Sequence, residues 1–184
     1  MKLVLGIDPG FASLGWCRFG LGKTPQDDLV LGMGVIRTDK SAKKVNVLAS
    51  NDNHRRICEI FKVLFPLAQE VVMFAAESQS WPRNASSSAK VGMAWGVISS
   101  LSELLGVPLL QMSPQALKKS VCGKKTASKE EIAAALIERY GIVIDDVLLK
   151  DVPQGQKEHA FDALGSVRAV LDGEEVKLAR QMMQ

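Results

Sequence analysis

The sequence has few of the residues that build disulfide frameworks and zinc sites. It contains three cysteines and two histidines in 184 residues. The cysteines are odd in number and far apart, with no C-x-x-C pair among them. This pattern argues against both a disulfide-bonded scaffold and a cysteine zinc site.

Long hydrophobic runs are also absent. The longest apolar runs are short, as at Val71–Ala76, whereas roughly 18 apolar residues are needed to cross a bilayer. Asp8 interrupts the first apolar segment before the apolar core of a secretory signal could form. We therefore expect a cytoplasmic protein without a membrane segment.

The composition shows no strong bias. Hydrophobic residues make up 47% of the chain and charged residues 23%, close to ordinary globular usage, which argues against disorder and coiled coil. No repeat, low-complexity tract or Pro/Gly-rich linker divides the chain. We expect one domain over residues 1–184.

The apolar pattern predicts alternating strands and helices. The predicted strands are Lys2–Ile7, Leu14–Phe19, Leu29–Thr38, Val71–Ala76 and Val107–Met112. The predicted helices are a segment through Ile57–Leu67 that Pro66 should end or kink, Ala89–Leu105, a segment from the Ser128–Glu131 capping box to near Gly141, and His159–Leu171. The first three strands suggest an antiparallel meander. The order as a whole predicts an α/β fold, a mixed sheet flanked by helices.

Two predicted strands end in a carboxylate, although the residues before it are apolar. These acids are Asp8 and Glu77, and a buried carboxylate needs a cation or hydrogen bonds to offset its cost. A third acid, Asp162, lies three residues after His159, so both should share one face of a helix. Such ligands suit Mg²⁺ or Mn²⁺.

Each of these residues also has an ordinary explanation. Asp8 could open an Asp-Pro-Gly turn, and Glu77 could be a solvent-exposed strand end. His159 and Asp162 could be first-turn residues favoured by the helix dipole and solvent. Considered one at a time, the residues leave both interpretations open, and the set has to be explained together.

A lysine cluster follows the last predicted strand. The net charge is only +3, but the stretch from 118 to 129 has no acid and holds Lys118, Lys119, Lys124, Lys125 and Lys129. Such an excess could bind a polyanion or simply form a solvated face.

Four segments carry a more specific signal. They are Leu5–Gly10, Glu77 at the end of an apolar strand, Leu117–Gly123 followed by Ala127–Lys129, and His159–Gly165. In order and spacing they resemble the RuvC family of Holliday-junction resolvases. The likeness covers most of residues 1–172 and leaves the tail 173–184 outside.

The resemblance implies a ribonuclease-H-like fold and a metal-dependent endonuclease that cleaves four-way DNA junctions as a homodimer. It further implies that the protein acts together with a branch-migration motor or with other recombination and repair proteins. The residues that match the metal-binding positions are Asp8, Glu77, His159 and Asp162, and those that match lysines near the scissile phosphate are Lys118 and Lys129.

The chain departs from the family pattern after Glu77. An aromatic residue that stacks at the junction centre is expected about three residues further on, where Ser80 stands. A one-residue shift of the loop would let Trp81 serve instead, since base stacking tolerates sequence change. We include Trp81 and Arg83 with the lysine cluster among the candidate DNA-binding residues.

Hydrolysis of a phosphodiester needs an activated water and stabilisation of the leaving oxygen, which two divalent ions about 3.5–4 Å apart can supply. On the family pattern, we expect two Mg²⁺ or Mn²⁺ ions, with Asp8 bridging, Glu77 and Asp162 completing the shell, and His159 as ligand or proton carrier. Lys129 would stabilise charge on the phosphate, and cleavage would leave a 5′-phosphate and a 3′-hydroxyl.

Two other functions compete with this one. The G-I-D-x-G pattern also opens actin-like ATPases, but those need a second domain for which 184 residues leave no room. The alternative is a non-catalytic junction-binding protein on the same fold, against which the complete set of acids weighs. A P-loop is excluded, since Cys17 stands where its first glycine belongs.

Overall fold

Three antiparallel strands open the fold of the computed structural model, which describes residues 1–42, 47–78 and 84–183. They are β1 (Lys2–Asp8), β2 (Ser13–Leu21) and β3 (Leu29–Arg37). β2 pairs antiparallel with both neighbours, so the predicted meander is confirmed. β1 runs one residue further than predicted because Asp8 still pairs with Gly15.

Two parallel strands complete the sheet on the other side of β1. They are β4 (Val71–Glu77) and β5 (Leu109–Met112), and the strand order is β3-β2-β1-β4-β5. β1 pairs parallel with β4, and β4 parallel with β5. The sheet is therefore mixed, as predicted, and β1 and β4 end at the same edge.

Helices cover both faces of this sheet. They are α1 (Ala49–Leu67), α2 (Ala85–Leu105), α3 (Pro114–Cys122), α4 (Lys129–Tyr140), α5 (Lys157–Val170) and α6 (Glu174–Gln181). Leu5 and Ile7 of β1 pack with α1 and α2, whereas Val4 packs with the remaining helices. The alternation along β1 thus supplies two hydrophobic cores, one on each face.

Some boundaries differ from the predicted ones for local reasons. α2 begins at Ala85 rather than Ala89, because the Asn84 side chain caps it by accepting from the backbone N–H groups of Ser86 and Ser87. β5 begins at Leu109 rather than Val107, since the Val107 N–H bonds to Ser102 and so closes the end of α2.

Two helices were not predicted at all. α3 is short but has end signals, with Ser113 as its cap, Pro114 in its first turn and Gly123 after its end. α6 lies in the tail outside the family likeness, and the side chain of its Val176 is fully buried in the core. Arg180 of α6 pairs with the nearly buried Asp28 at 2.7 Å, which ties the tail to the turn between β2 and β3.

Two glycines allow α5 to lie directly against the sheet. A Cβ at Gly6 would come within 2.2 Å of the Ala163 carbonyl oxygen. A Cβ at Gly15 would come within 1.9 Å of the His159 carbonyl oxygen. The backbone of α5 therefore rests on β1 and β2 where no side chain fits, and its first turns reach the end of β1.

Candidate active site

Asp8 and Glu77 lie side by side at one edge of the sheet. The parallel register of β1 and β4 sets Ile7 opposite Ala76, so the next residue of each strand is an acid. Both strands are apolar and buried up to that point. The two acids themselves are only partly buried, since each stands where its strand leaves the core.

The first turns of α5 bring two more predicted residues to this edge. His159 Nδ1 lies 2.7 Å from Asp8 Oδ2, although the two residues are 151 positions apart in the chain. Asp162 follows one helical turn later and lines the same cavity. The i, i+3 spacing thus places both side chains on the face predicted from the sequence.

The four side chains line one cavity of about 290 Å³ together with two lysines. Lys118 comes from α3 and Lys129 from the first position of α4. The remaining wall is apolar and consists of Pro114, Leu117 and Ile132. Residues from β1, β4, α3, α4 and α5 therefore meet in one small space that holds three acids, two lysines and a histidine.

Burial and mutual repulsion act on the carboxyl groups in this cavity. Burial raises the pKa of Asp162 to about 7, and the negative charges of Asp8 and Glu77 push it in the same direction. Burial also raises the pKa of Glu77, again with a contribution from Asp8 and against the opposing charges of Lys118 and Lys129. The cavity therefore holds more negative charge than its own lysines offset.

The pKa of His159 is also raised, but here the shift favours the charged form. Its hydrogen bond to Asp8 raises the pKa of the imidazole above its usual range, against the effect of burial. A carboxylate on one ring nitrogen also fixes the orientation of the ring. Nε2 is thereby left facing away from Asp8.

Glu158 is a polar neighbour of the site that the sequence reasoning missed. Its carboxylate lies 2.5 Å from Lys129 Nζ and 3.9 Å from His159 Nε2. Burial lowers the pKa of Lys129, but the hydrogen bond to Glu158 and the nearby acids outweigh it and raise that pKa overall. An acid in a first helical turn is ordinary, so the sequence offered no signal for Glu158 beyond its place beside His159.

The donor set fits a hard divalent cation in an open site. Across residues 1–42, 47–78 and 84–183, no three His, Cys, Asp or Glu side chains are already arranged so that they could hold a metal ion. The cavity instead gathers three carboxylates and one imidazole along its wall. Mg²⁺ is commonly bound in this way, through few carboxylates, with positions kept for water and substrate phosphate.

Three other predicted DNA-binding residues do not line this cavity. Lys119, Lys124 and Lys125 are exposed, and Lys124 forms an ion pair with Glu131. Trp81 and Arg83 lie outside the described residues.

Comparison with known proteins identifies the chain. The family model for the crossover junction endodeoxyribonuclease RuvC matches residues 4–165. The chain belongs to the RuvC family. The RuvC of Porphyromonas gingivalis is 28% identical over 155 residues, which cover 82% of this chain and 75% of that protein. The RuvC of Gluconobacter oxydans is 33% identical over 135 residues, covering 72% of this chain and 73% of that protein.

A solved RuvC has the same fold. Thermus thermophilus RuvC, in complex with a Holliday junction substrate, is 25% identical and superposes with a TM-score of 0.68 over 98% of this chain and 96% of that chain. The ribonuclease-H-like fold predicted from the sequence is thus confirmed. Neither the actin-like nor the non-catalytic alternative is favoured by these relatives.

RuvC-type resolvases depend on divalent metal ions, which agrees with the three carboxylates in the cavity.

No helix in the described parts of the chain is long and apolar enough to cross a membrane.

Proposed function

We propose that this RuvC-family chain cleaves four-way DNA junctions by metal-dependent hydrolysis of phosphodiester bonds. One observation carries the proposal: three carboxylates and a histidine from distant parts of the chain meet Lys118 and Lys129 in one cavity. Acids alone would repel a phosphate, and lysines alone would bind it without cleaving it. Both together suit a site where cations and phosphate meet.

The cations we propose are two Mg²⁺ or Mn²⁺ ions held by Asp8, Glu77, His159 and Asp162. The raised pKa values of Glu77 and Asp162 support this assignment, because they reflect carboxyl groups that are partly buried and lie close to other acids, two costs that a bound cation would offset. Bound divalent ions supply an activated water and stabilise charge on the leaving oxygen.

The lysines would hold the scissile phosphate. Lys129 stands at the start of α4, where backbone N–H groups and the helix dipole also favour an anion. Glu158 keeps the Lys129 ammonium beside the cavity. Lys118 faces the same cavity from α3, so the phosphate would meet positive charge from two helices.

His159 would orient Asp8 and move a proton. Its Nδ1 is occupied by the Asp8 carboxylate, so Nε2, which has the Glu158 carboxylate 3.9 Å away, is the nitrogen that would bind an ion or exchange a proton with substrate. We propose that the remaining lysines, Lys119, Lys124 and Lys125, contact the DNA backbone beyond the scissile phosphate. Trp81 and Arg83 would act at the junction itself.

We further propose that the active form is a homodimer. A four-way junction has approximate two-fold symmetry, and paired nicks on opposing strands need two sites at a fixed separation, which a C₂ dimer provides. On α2, Trp95 and Ile98 are buried against the chain's own sheet and Ala94 is fully buried, so these residues do not form the interface.

The exposed side of α2 remains available for that interface. A groove of about 490 Å³ runs between α1 and α2, and its lining includes Phe61, Met93 and Gly96. Phe61 and Met93 are about two-fifths exposed, and a Cβ at Gly96 would meet nothing within 4 Å. An apolar groove with a small residue at its rim suits close approach of a second copy.

The deciding experiment is cleavage of a synthetic four-way junction with Mg²⁺, beside duplex and single-stranded controls of the same sequence. We expect nicks in the junction only. Asp8→Asn, Glu77→Gln and Asp162→Asn should each abolish cleavage but still bind the junction, because phosphate charge dominates affinity. Glu175→Gln on α6 is the matched control and should cleave normally. Near-normal cleavage by an active-site variant would remove that residue from the proposed metal site.

A further inference from the structure

A buried arginine stands behind the loop that follows Asp8. Arg56 of α1 is only 3% exposed. Within the described ranges its hydrogen-bond acceptors are neutral: Nε donates to Thr38 Oγ1 at 3.0 Å and Nη2 to the Thr38 carbonyl at 2.9 Å. The preceding Arg55 is exposed and pairs with acids of its own helix. A buried cation without a carboxylate partner is costly, so Arg56 calls for an explanation other than ion pairing.

Thr38 connects Arg56 to the loop through its own hydrogen bonds. Its Oγ1 donates to the Phe11 carbonyl at 2.6 Å, and its N–H donates to the Ala12 carbonyl at 3.0 Å. The Arg56 guanidinium also lies over the Phe11 ring, 4.2 Å from its centroid. The loop is thus held through two carbonyl groups and through a buried aromatic ring.

The loop in turn begins directly after Asp8. It contains only residues 9–12 between the end of β1 and the start of β2. A Cβ at Gly10 would come within 1.9 Å of the Ser13 carbonyl oxygen, so the turn is tight. A shift of Phe11 would therefore be passed to Asp8, three residues earlier in the chain.

We propose that Arg56 and Thr38 are positioning residues that fix the direction of the Asp8 carboxylate toward the cation site. They act from behind the loop, as outer partners of a ligand do in metal sites. The inference rests on the proposed function, in which Asp8 binds the metal. It adds a contribution from α1 and from the end of β3, neither of which lines the cavity.

The test compares Thr38→Val with Thr38→Ser in the DNA-free protein. Valine has nearly the shape of threonine but lacks the hydroxyl group, and serine keeps it. The melting temperature is followed while Mn²⁺ is added. Stabilisation grows with the logarithm of one plus [Mn²⁺]/Kd, so a fit gives the half-saturation concentration, the Mn²⁺ midpoint, without any cleavage. We expect Thr38→Val to raise the midpoint about tenfold and Thr38→Ser to leave it near that of the unmodified protein.

Two further pairs separate positioning from plain stability. Arg56→Met should raise the Mn²⁺ midpoint, whereas Arg55→Met should not. Val176→Ala is the control for stability, because it removes buried apolar contacts of α6. That helix lies far from the loop, since its Arg180 bonds to Gly22 at the opposite end of β2. The variant should lower the melting temperature and leave the Mn²⁺ midpoint unchanged.

The outcomes also separate this inference from the proposed function. A normal Mn²⁺ midpoint in Thr38→Val would overturn the positioning role, and the metal site would stand. If the unmodified protein shows no stabilisation by Mn²⁺ at all, the metal site fails and the positioning role falls with it. If Arg56→Met does not fold, the Thr38 pair decides alone.

Discussion

Among single residues, Asp162 shows a large combined effect of burial and like charge. Its pKa of about 7 lies far above the usual value for an aspartate, so the folded protein holds this proton more tightly than the unfolded chain does. Between about pH 4 and pH 7 the folded state therefore binds more protons, and the free energy of unfolding falls as pH rises. Above about pH 7 Asp162 is ionised in both states, and the free energy of unfolding is lowered by the full cost of holding its charge in the cavity.

Asp162→Asn should remove that penalty. At pH 8 without metal, we expect it to raise the free energy of unfolding on the order of 2 kcal/mol, and to lose cleavage. The gain should shrink toward pH 4, as the unfolded chain also begins to bind this proton. Urea denaturation at pH 8 and pH 4.5 measures it, and an equal gain at both values would contradict the charge explanation.

Gly15 offers a second prediction at this scale. In Gly15→Ala the new methyl group meets the His159 carbonyl and must push the start of α5 away from the sheet. We expect a loss of about 1–3 kcal/mol in stability and about a hundredfold in cleavage rate, since small displacements of catalytic groups are costly.

Gly32→Ala is the control for this change. A Cβ there would lie 3.5 Å from the Trp16 ring, an ordinary contact in another strand, so cleavage should stay normal. Equal cleavage by the two alanine variants would show that α5 tolerates displacement.

Among the helices, α3 and the turn after it carry the exposed lysines proposed to contact DNA, which are Lys119, Lys124 and Lys125. Each phosphate that a lysine neutralises contributes a slope of about −0.9 in log affinity against log salt on duplex DNA. Lys119→Ala and Lys125→Ala together should flatten that slope, whereas Lys124→Ala should change it less, because Glu131 already pairs with Lys124.

Junction binding at several salt concentrations measures the slope. Lys177→Ala on α6, whose lysine pairs with Glu174, serves as the control and should leave it unchanged. If the double variant keeps the original slope, the lysines form only a solvated face.

The elements also show which parts of the molecule could be predicted. Strands with continuous apolar runs and α4 with its Ser128–Glu131 box were located correctly, because their signals are local. α3 and α6 are too short for a clear apolar period. The approach of Asp8 to His159 was suggested by their shared ligand chemistry and by the family likeness, since no local pattern reports a contact across 151 positions. The roles of Glu158 and Arg56 depend on packing and had no sequence signal.

At the scale of the whole molecule, the proposed dimer is tested through the groove between α1 and α2. Met93→Lys places a charge in that groove and should yield monomers by sedimentation at micromolar concentration. On a plasmid that extrudes a cruciform, the monomer should give nicked circles, whereas the unmodified protein should give linear DNA from paired cuts.

Met182→Lys is the matched control, since Met182 is an exposed methionine on the tail. It should remain dimeric and produce linear DNA. A Met93→Lys protein that stays dimeric would exclude this groove as the interface.

The position of α5 also determines when the protein becomes a nuclease during its synthesis. Asp8 is translated 151 positions before its partner His159. The helix that carries His159 covers one face of the central strand. The contact that completes the site is therefore highly non-local, and such contacts form slowly. A nascent or truncated chain that ends before α5 would carry acids and lysines but no assembled site, and it should not cleave DNA.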